Sequence, residues 1–254
     1  MGIFDVPAPL FAWLDRHANS FASPTLRIIL WALVSAVISM GLYWLLSPQQ
    51  RIADVKRRAL EARRALDAYD GEFAGAWPRI SEMLRLSLKQ VGIVTMPAVL
   101  ASLPILCVLV WLSTTYGHVY PSDYAQVDMR AYPQGQVQPR WSHTGDARDE
   151  GAQGRASNSN VPIIELVDNR QNVLDSIPLK APVTTIHKRQ WWNSLFGNPA
   201  GYLSPDERVE GIEIDLPSQE VLGFGPGWMR SWEFLFFVVL LIASIAIKVI
   251  FRIK

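Results

Sequence analysis

A single cysteine in 254 residues excludes a disulfide-stapled secreted fold, which needs a larger, even set. Charge is scarce too, at 19% of residues against roughly 25% in soluble domains. The net charge of +1 excludes a nucleic-acid binder held by bulk charge. The four histidines, at 17, 118, 143 and 187, are isolated and lack ligand spacing. There is no phosphate loop, nucleophile elbow or zincin helix. No enzyme activity, metal or cofactor is therefore expected. Disorder is excluded in turn by 10 Trp and 10 Phe.

Half of the residues are hydrophobic, yet mean hydropathy is only +0.13, so the apolar residues are concentrated. Leu26 to Leu46 is an apolar run of 21 residues, interrupted only by Arg27. Val91 to Leu112 is a second, of 22 residues without a charge. Phe234 to Ile247 gives 14 more, or 20 when read from Ser231 to Ile250 with Glu233 and Lys248 at its ends. A helix needs about 20 residues to cross roughly 30 Å of hydrocarbon. The expected fold is an α-helical integral membrane protein with three transmembrane helices, at 26–46, 91–113 and 231–251. Trp31, Trp44, Trp111, Tyr116, Trp228 and Trp232 lie near the run ends, where aromatic rings favour the headgroup level. Cys107, inside the second run, reads as a small apolar filler.

The loops set the orientation. Segment 47–90 carries nine Lys/Arg and six acids, a balance of 9 − 6 = +3. Segment 114–230 carries ten Lys/Arg and fourteen acids, 10 − 14 = −4. The positive-inside rule places 47–90 and the tail 252–254 in the cytoplasm, with residues 1–25 and 114–230 outside. The first apolar run begins late and lacks a small-residue cleavage site, so no cleavable signal is expected. Residues 7–22 read either as an amphipathic segment on the outer membrane surface or as a disordered lead-in. An outer loop without cysteine favours a bacterial envelope or archaeal surface over an ER lumen, and a bacterial plasma membrane is the expected location.

Within 47–90, Ile52, Val55, Ala59, Ala62, Leu66, Tyr69 and Phe73 recur every three or four residues, as in an a/d heptad seam. Arg57, Arg58, Glu61, Arg63 and Arg64 fill the other faces. Asp70-Gly71 and Gly75 break the pattern, and Pro78 is a natural start for a second helix striped by Ile80, Leu84 and Leu88. An antiparallel helical hairpin is the expected form; a solvated connector and a dimerising coiled coil are the alternatives.

The second run contains Pro97 and Pro104, which kink a helix and leave the carbonyls of Ile93 and Leu100 without an intrahelical donor. Thr95 and Ser102 lie beside them, Ser35 and Ser39 one turn apart in the first run, and Ser244 and Lys248 one turn apart in the third. These groups are candidates for a polar groove between the helices. Small hydroxyls also pack helices closely, and polarity alone favours packing. Lys248 near the cytoplasmic end can snorkel to the interface at little cost.

In the outer segment, 133–160 is rich in Gly, Gln, Ser, Asn and Pro and reads as a flexible linker. VPIIELVD, VLDSIPL, APVTTIHK and VEGIEIDLP then read as short strands, with a turn at Asn169 to Asn172. This predicts a small β-rich exterior domain of about 60 residues, near the size where a core is marginal. Trp191, Trp192 and Phe196 are expected either in its core or against a membrane or partner.

The order of these parts resembles the Oxa/YidC superfamily of membrane-protein insertases. It is most similar to the three-span branch, which holds archaeal YidC-like proteins and the insertase subunit of the ER membrane protein complex. LSLKQVGIVTMPAVLASLPILCVLVWL at 86–112 and GFGPGWMRSWEFLFFVVLLIASIAIKVIFRIK at 223–254 carry the likeness. The large segment 117–215 and the absence of a basic residue in the cytoplasmic half of the first run depart from it.

The resemblance implies an insertase or intramembrane chaperone that works without ATP. A hydrophobic nascent or client protein would be received by the hairpin through Ile52, Val55, Leu66, Tyr69 and Phe73, with Arg57 and Arg58. Its short hydrophilic flank would cross through a groove lined by Ser35, Ser39, Thr95, Ser102, Ser244 and Lys248, beside lipid thinned locally. The enlarged outer segment supports a different reading, a structural or assembly subunit that binds a membrane-complex partner through 117–230. A receptor with an exterior ligand domain is a third.

Overall fold

The computed structural model describes residues 2–121, 127–133, 135, 137–142, 162–168 and 171–252, without the side chains of residues 73 and 74. They form two compact units. One joins Ala22–Val108 with Glu233–Lys254, and the other joins Met1–Phe21 with Leu109–Trp232.

Among the described residues, three helices are long and apolar enough to cross a membrane: Pro24–Leu46, Gly75–Tyr116 and Trp232–Ile250. The first, α2 (Pro24–Leu46), is capped by Ser23, whose side chain accepts from the Leu26 amide, with Pro24 at its first position. Its buried face is Ile28, Trp31, Ala32, Ser35 and Ala36, a helical repeat of mostly small residues. Small side chains let another helix backbone approach, and the Ser39 hydroxyl donates to the Ala101 carbonyl at 2.8 Å. Ser47 and Pro48 end α2, since a residue before proline is held extended. Helix α3 (Gln49–Asp67) starts at once, built from the strong helix formers Ala, Arg, Leu, Gln and Glu.

The predicted seam is the protected side of α3. Ile52 and Val55 are buried, and Ala59, Ala62, Leu66 and Tyr69 are half-buried among exposed neighbours. The turn that follows is built on Tyr69. Its ring occupies the space that a side chain at Gly71 or Gly75 would need, and the Arg79 guanidinium stacks over it at 4.0 Å.

Helix α4 (Phe73–Tyr116) starts five residues before Pro78 and runs for 44 residues, or about 66 Å. The second arm and the second apolar run are therefore one helix, with Pro78, Pro97 and Pro104 inside it. This corrects the expected stripe. Ile80, Met83, Leu86 and Gln90 take the protected side, and Pro97, Ala101 and Val108 continue it. Leu84 and Leu88 are 56% and 63% exposed, with Trp77 and Val91 on the same outward side. Leu86, Pro97 and Ala101 are the buried positions that set which side turns inward.

In α5 (Trp232–Ile250), Phe236 is fully buried and Lys248 lies in the last turn. Of the aromatics expected near the membrane interfaces, Trp44 and Trp228 are mostly exposed, and Trp31, Trp111, Tyr116 and Trp232 are buried.

The second unit holds two three-stranded antiparallel sheets. One is ordered β1-β6-β5, from β1 (Met129–Tyr132), β6 (Gly211–Ile214) and β5 (Thr185–His187). The other is β2-β3-β4, from β2 (Gln138–Ser142), β3 (Ile163–Val167) and β4 (Val173–Pro178). All four sequence-predicted strands are present, as β3 to β6. The first two were not expected, and β2 falls inside the stretch read as a linker. Pro139 is tolerated there because β2 is an edge strand. Residues 143–160 of that stretch lie outside the described residues, as do 169 and 170 of the predicted turn. Asp168 and Asn172 close that turn, with Gln171 in the left-handed region.

One hydrophobic cluster serves both sheets. Ile164 and Leu166 of β3, Ile186 of β5 and Ile212 and Ile214 of β6 form its centre, beside Leu179 and Val209. Arg140 pairs with Glu165 across β2 and β3 at 3.0 Å. That arginine, with Ser142, holds the Glu165 carboxyl below the usual carboxylate range. A carboxyl depressed in the fold stabilises it above the unfolded pKa, and loses that stabilisation as pH falls through the folded one. Glu165→Gln should flatten the fall in the urea midpoint of this unit between neutral pH and about pH 3. Glu207 opposes this, since burial and then the neighbouring Asp175 raise its pKa and favour the fold in acid.

The N-terminal helix α1 (Ala8–Ala18) belongs to this unit, so residues 7–22 are a helix over most of their length. Its polarity is turned around. Asp15 is buried and accepts from the Tyr116 hydroxyl at 2.8 and 3.0 Å, while Leu10, Trp13 and Leu14 face outward. Ahead of it, Asp5 accepts from the Gly197 amide at 2.7 Å and Phe4 stacks on Phe196 at 5.1 Å. Trp192 packs beside His187, but Trp191 is 82% exposed and outside the core.

Candidate functional site

The helical unit contains a cleft of about 700 Å³ at the α2–α3 junction. Its position follows from the chain. The Ser47–Pro48 break ends α2 and lets α3 start at once. The seam then takes one side of α3 and leaves Ala53, Lys56, Arg57, Leu60, Glu61 and Arg64, spaced by three and four, on another. Those six residues form one wall. Tyr43 of α2, Gln90 and Val94 of α4 and Lys248 of α5 form the rest, with Ile52 at the base of α3.

Four cations thus face one carboxylate around a partly apolar cleft. Arg57 touches Asp54 at 3.4 Å, but both side chains are well exposed and such a pair contributes little. The positive potential is local, since exposed charges are screened over about 8–10 Å. Arg and Lys here supply donors for carboxylate or phosphate oxygens, and the Ile52, Leu60 and Val94 side chains supply apolar surface.

Of the sequence-predicted groove residues, only Lys248 lines this cleft. The others are held elsewhere. Ser39 is bonded to Ala101, next to the Leu100 carbonyl that Pro104 leaves without a donor. Thr95 bonds back to Val91 and Ser102 to Val99 within α4. Ser35 is buried in the α2 face, Pro97 is buried, and Pro104 and Ser244 are half-buried. Ser39 joins two helices, while Thr95 and Ser102 satisfy themselves on their own helix.

Of the hairpin residues, Ile52 and Arg57 reach the cleft; Val55 and Leu66 are in the seam, Tyr69 in the turn, and Arg58 on the open side. The side chain of Phe73 lies outside the described residues. Lys56, Arg64, Tyr43 and Gln90 are not among the sequence-predicted site residues, and Arg64 is placed from sequence only on an outer face of the seam helix. The signal for the first two was the second three-four repeat on α3, opposite the seam.

Among the described residues no three His, Cys, Asp or Glu converge as a metal site. The packing at Ser39 has a measurable consequence. Ser39→Ala should cost about 0.6 kcal/mol, the average for a hydrogen bond between membrane helices. Ala36→Leu should cost about 1–3 kcal/mol by overpacking the same face. Unfolding of the full chain in mixed detergent micelles checks both. No family model, curated protein or solved structure matches the chain.

Proposed function

We propose that the chain is a three-span plasma-membrane protein that acts as an insertase or intramembrane chaperone of the Oxa/YidC type. The N-terminus and the β unit lie outside, and the α3–α4 hairpin and C-terminus lie in the cytoplasm. The charge balances of +3 and −4 on the two long loops support this orientation. The observation that carries the function is the basic cleft, lined from the last turns of α2 and α5, from α3 and from the middle of α4.

The mechanism needs no covalent step. A client's apolar segment contacts the outward α4 face at Leu84 and Leu88, both more than half exposed. Its polar flank enters the cleft, where Lys56, Arg57, Arg64 and Lys248 replace part of its hydration. The cost of taking that flank towards the bilayer falls accordingly.

Depletion of the protein tests the proposal. Short-tailed N-out clients should lose insertion and should crosslink to the hairpin when it is present. Unchanged insertion without crosslinks would reject the activity. The second reading, an assembly subunit, is favoured by the outward Trp191, Phe224 and Trp228 of the β unit. It requires a stoichiometric partner retained in mild detergent through 117–230, and a monomer with transient clients rules it out.

A further inference from the structure

We infer that the cleft at the α2–α3 junction binds the headgroup of an anionic phospholipid. This rests on the membrane placement proposed above but not on insertase activity. Three features point to that ligand. Lys56, Arg57, Arg64 and Lys248 supply four cations from two helices against the single carboxylate Glu61. The base of the cleft, at Tyr43 and Ile52, lies where α3 follows an apolar helix, which in the proposed membrane placement is the depth of the inner-leaflet phosphates. Its wall is also apolar at Leu60 and Val94, which suits the start of an acyl chain and has no use for a free phosphate ion.

The charge arrangement separates this site from a generally basic loop. Arg58, Arg63 and Arg85 are equally exposed but lie outside the cleft. Arg57 and Arg64 lie seven residues apart, on one side of α3, and Lys248 comes from α5. A phosphate in the cleft therefore draws donors from both helices. Between clients, a bound headgroup would keep these cations from repelling one another. An incoming acidic flank would displace it.

Native mass spectrometry of the full chain, released from mild detergent, tests the site. Phosphatidylglycerol and phosphatidylcholine are offered separately, and inorganic phosphate is the third probe. One phosphatidylglycerol per chain should be retained in preference to phosphatidylcholine. Lys248→Gln and Arg64→Gln should each weaken retention about fivefold, the share of one basic side chain at an anionic surface. Lys248→Arg should restore it, and Arg85→Gln should have no effect.

Equal retention of the two lipids would overturn the inference. So would equal weakening by Arg85→Gln, or displacement of the lipid by millimolar inorganic phosphate. Helix content by circular dichroism separates a misfolded variant from a lost site, and the charge-preserving Lys248→Arg covers that case. Carbonate extraction decides the membrane placement separately. A chain that leaves the pellet fails the placement whatever lipid it binds.

Discussion

Ile212→Ala lowers the stability of the β unit by about 3 kcal/mol, within the range of about 2–5 for a buried Ile or Leu cut to Ala. Ile212 is fully buried on the central strand β6. It faces Ala131 of β1 on one side and Ile186 of β5 on the other. Both neighbours are held by backbone ladders, so the cavity cannot close by a side-chain shift alone. A β unit of this size has only a few kcal/mol in hand. The variant should therefore become protease-sensitive in the β unit at low urea while the apolar helices stay protected. Val173→Ala, at a half-exposed position on β4, should stay within about 0.5 kcal/mol of the parent. Pulse proteolysis of the full chain across a urea series measures both. An equal loss at the two positions would mean that the shared core does not hold the sheets.

The double substitution Lys248→Gln with Arg64→Gln has the largest expected effect on function. Each removed cation lowers the attraction for an acidic flank by about 1 kcal/mol at a membrane surface, so the pair should reduce capture about thirtyfold. The loss should be selective. A client with an acidic flank should insert poorly, whereas one with a neutral flank of equal length should change little. High salt should narrow the difference in the parent protein, since the cleft is open to water. Initial insertion rates into vesicles carrying the full chain measure this. Equal loss for both clients would point to a damaged fold instead of a lost charge.

The apolar helices were legible because each is encoded by a long local run that no tertiary contact needs to complete. The α3 seam was legible for the same reason: Ile52 to Tyr69 repeat at helical spacing, and those side chains are the protected ones. Leu84 and Leu88 misled because their spacing fits a stripe equally well on either side of a helix. Tertiary packing at Leu86, and at Pro97 and Ala101 further on, decides which side turns inward. Strands β1 and β2 were missed since Met129–Tyr132 is too short to show alternation and Gln138–Ser142 contains a proline.

The candidate site was legible only in part, for an electrostatic reason. A lysine or arginine on a polar helix looks the same in sequence whether it faces water or a cleft. Lys56 and Arg64 acquire meaning from Lys248, which lies about 190 residues away in the chain. The serines show the reverse. Thr95 and Ser102 looked functional in an apolar run, yet a hydroxyl in a helix can satisfy itself on its own backbone. Asp15 gives no sign in sequence that Tyr116, about 100 residues away, meets it.

Photocrosslinking from the cleft tests the client-handling proposal most directly. A benzophenone side chain is placed at Leu60 or Val94 inside the cleft, and at Leu195 of the β unit as the outside control. Stalled short-tailed N-out clients should form adducts from Leu60 and Val94 through their polar flank, and none from Leu195. The adducts should fade when Lys248 and Arg64 are neutralised. Clients that insert at the normal rate while crosslinking from neither cleft position would contradict the proposal.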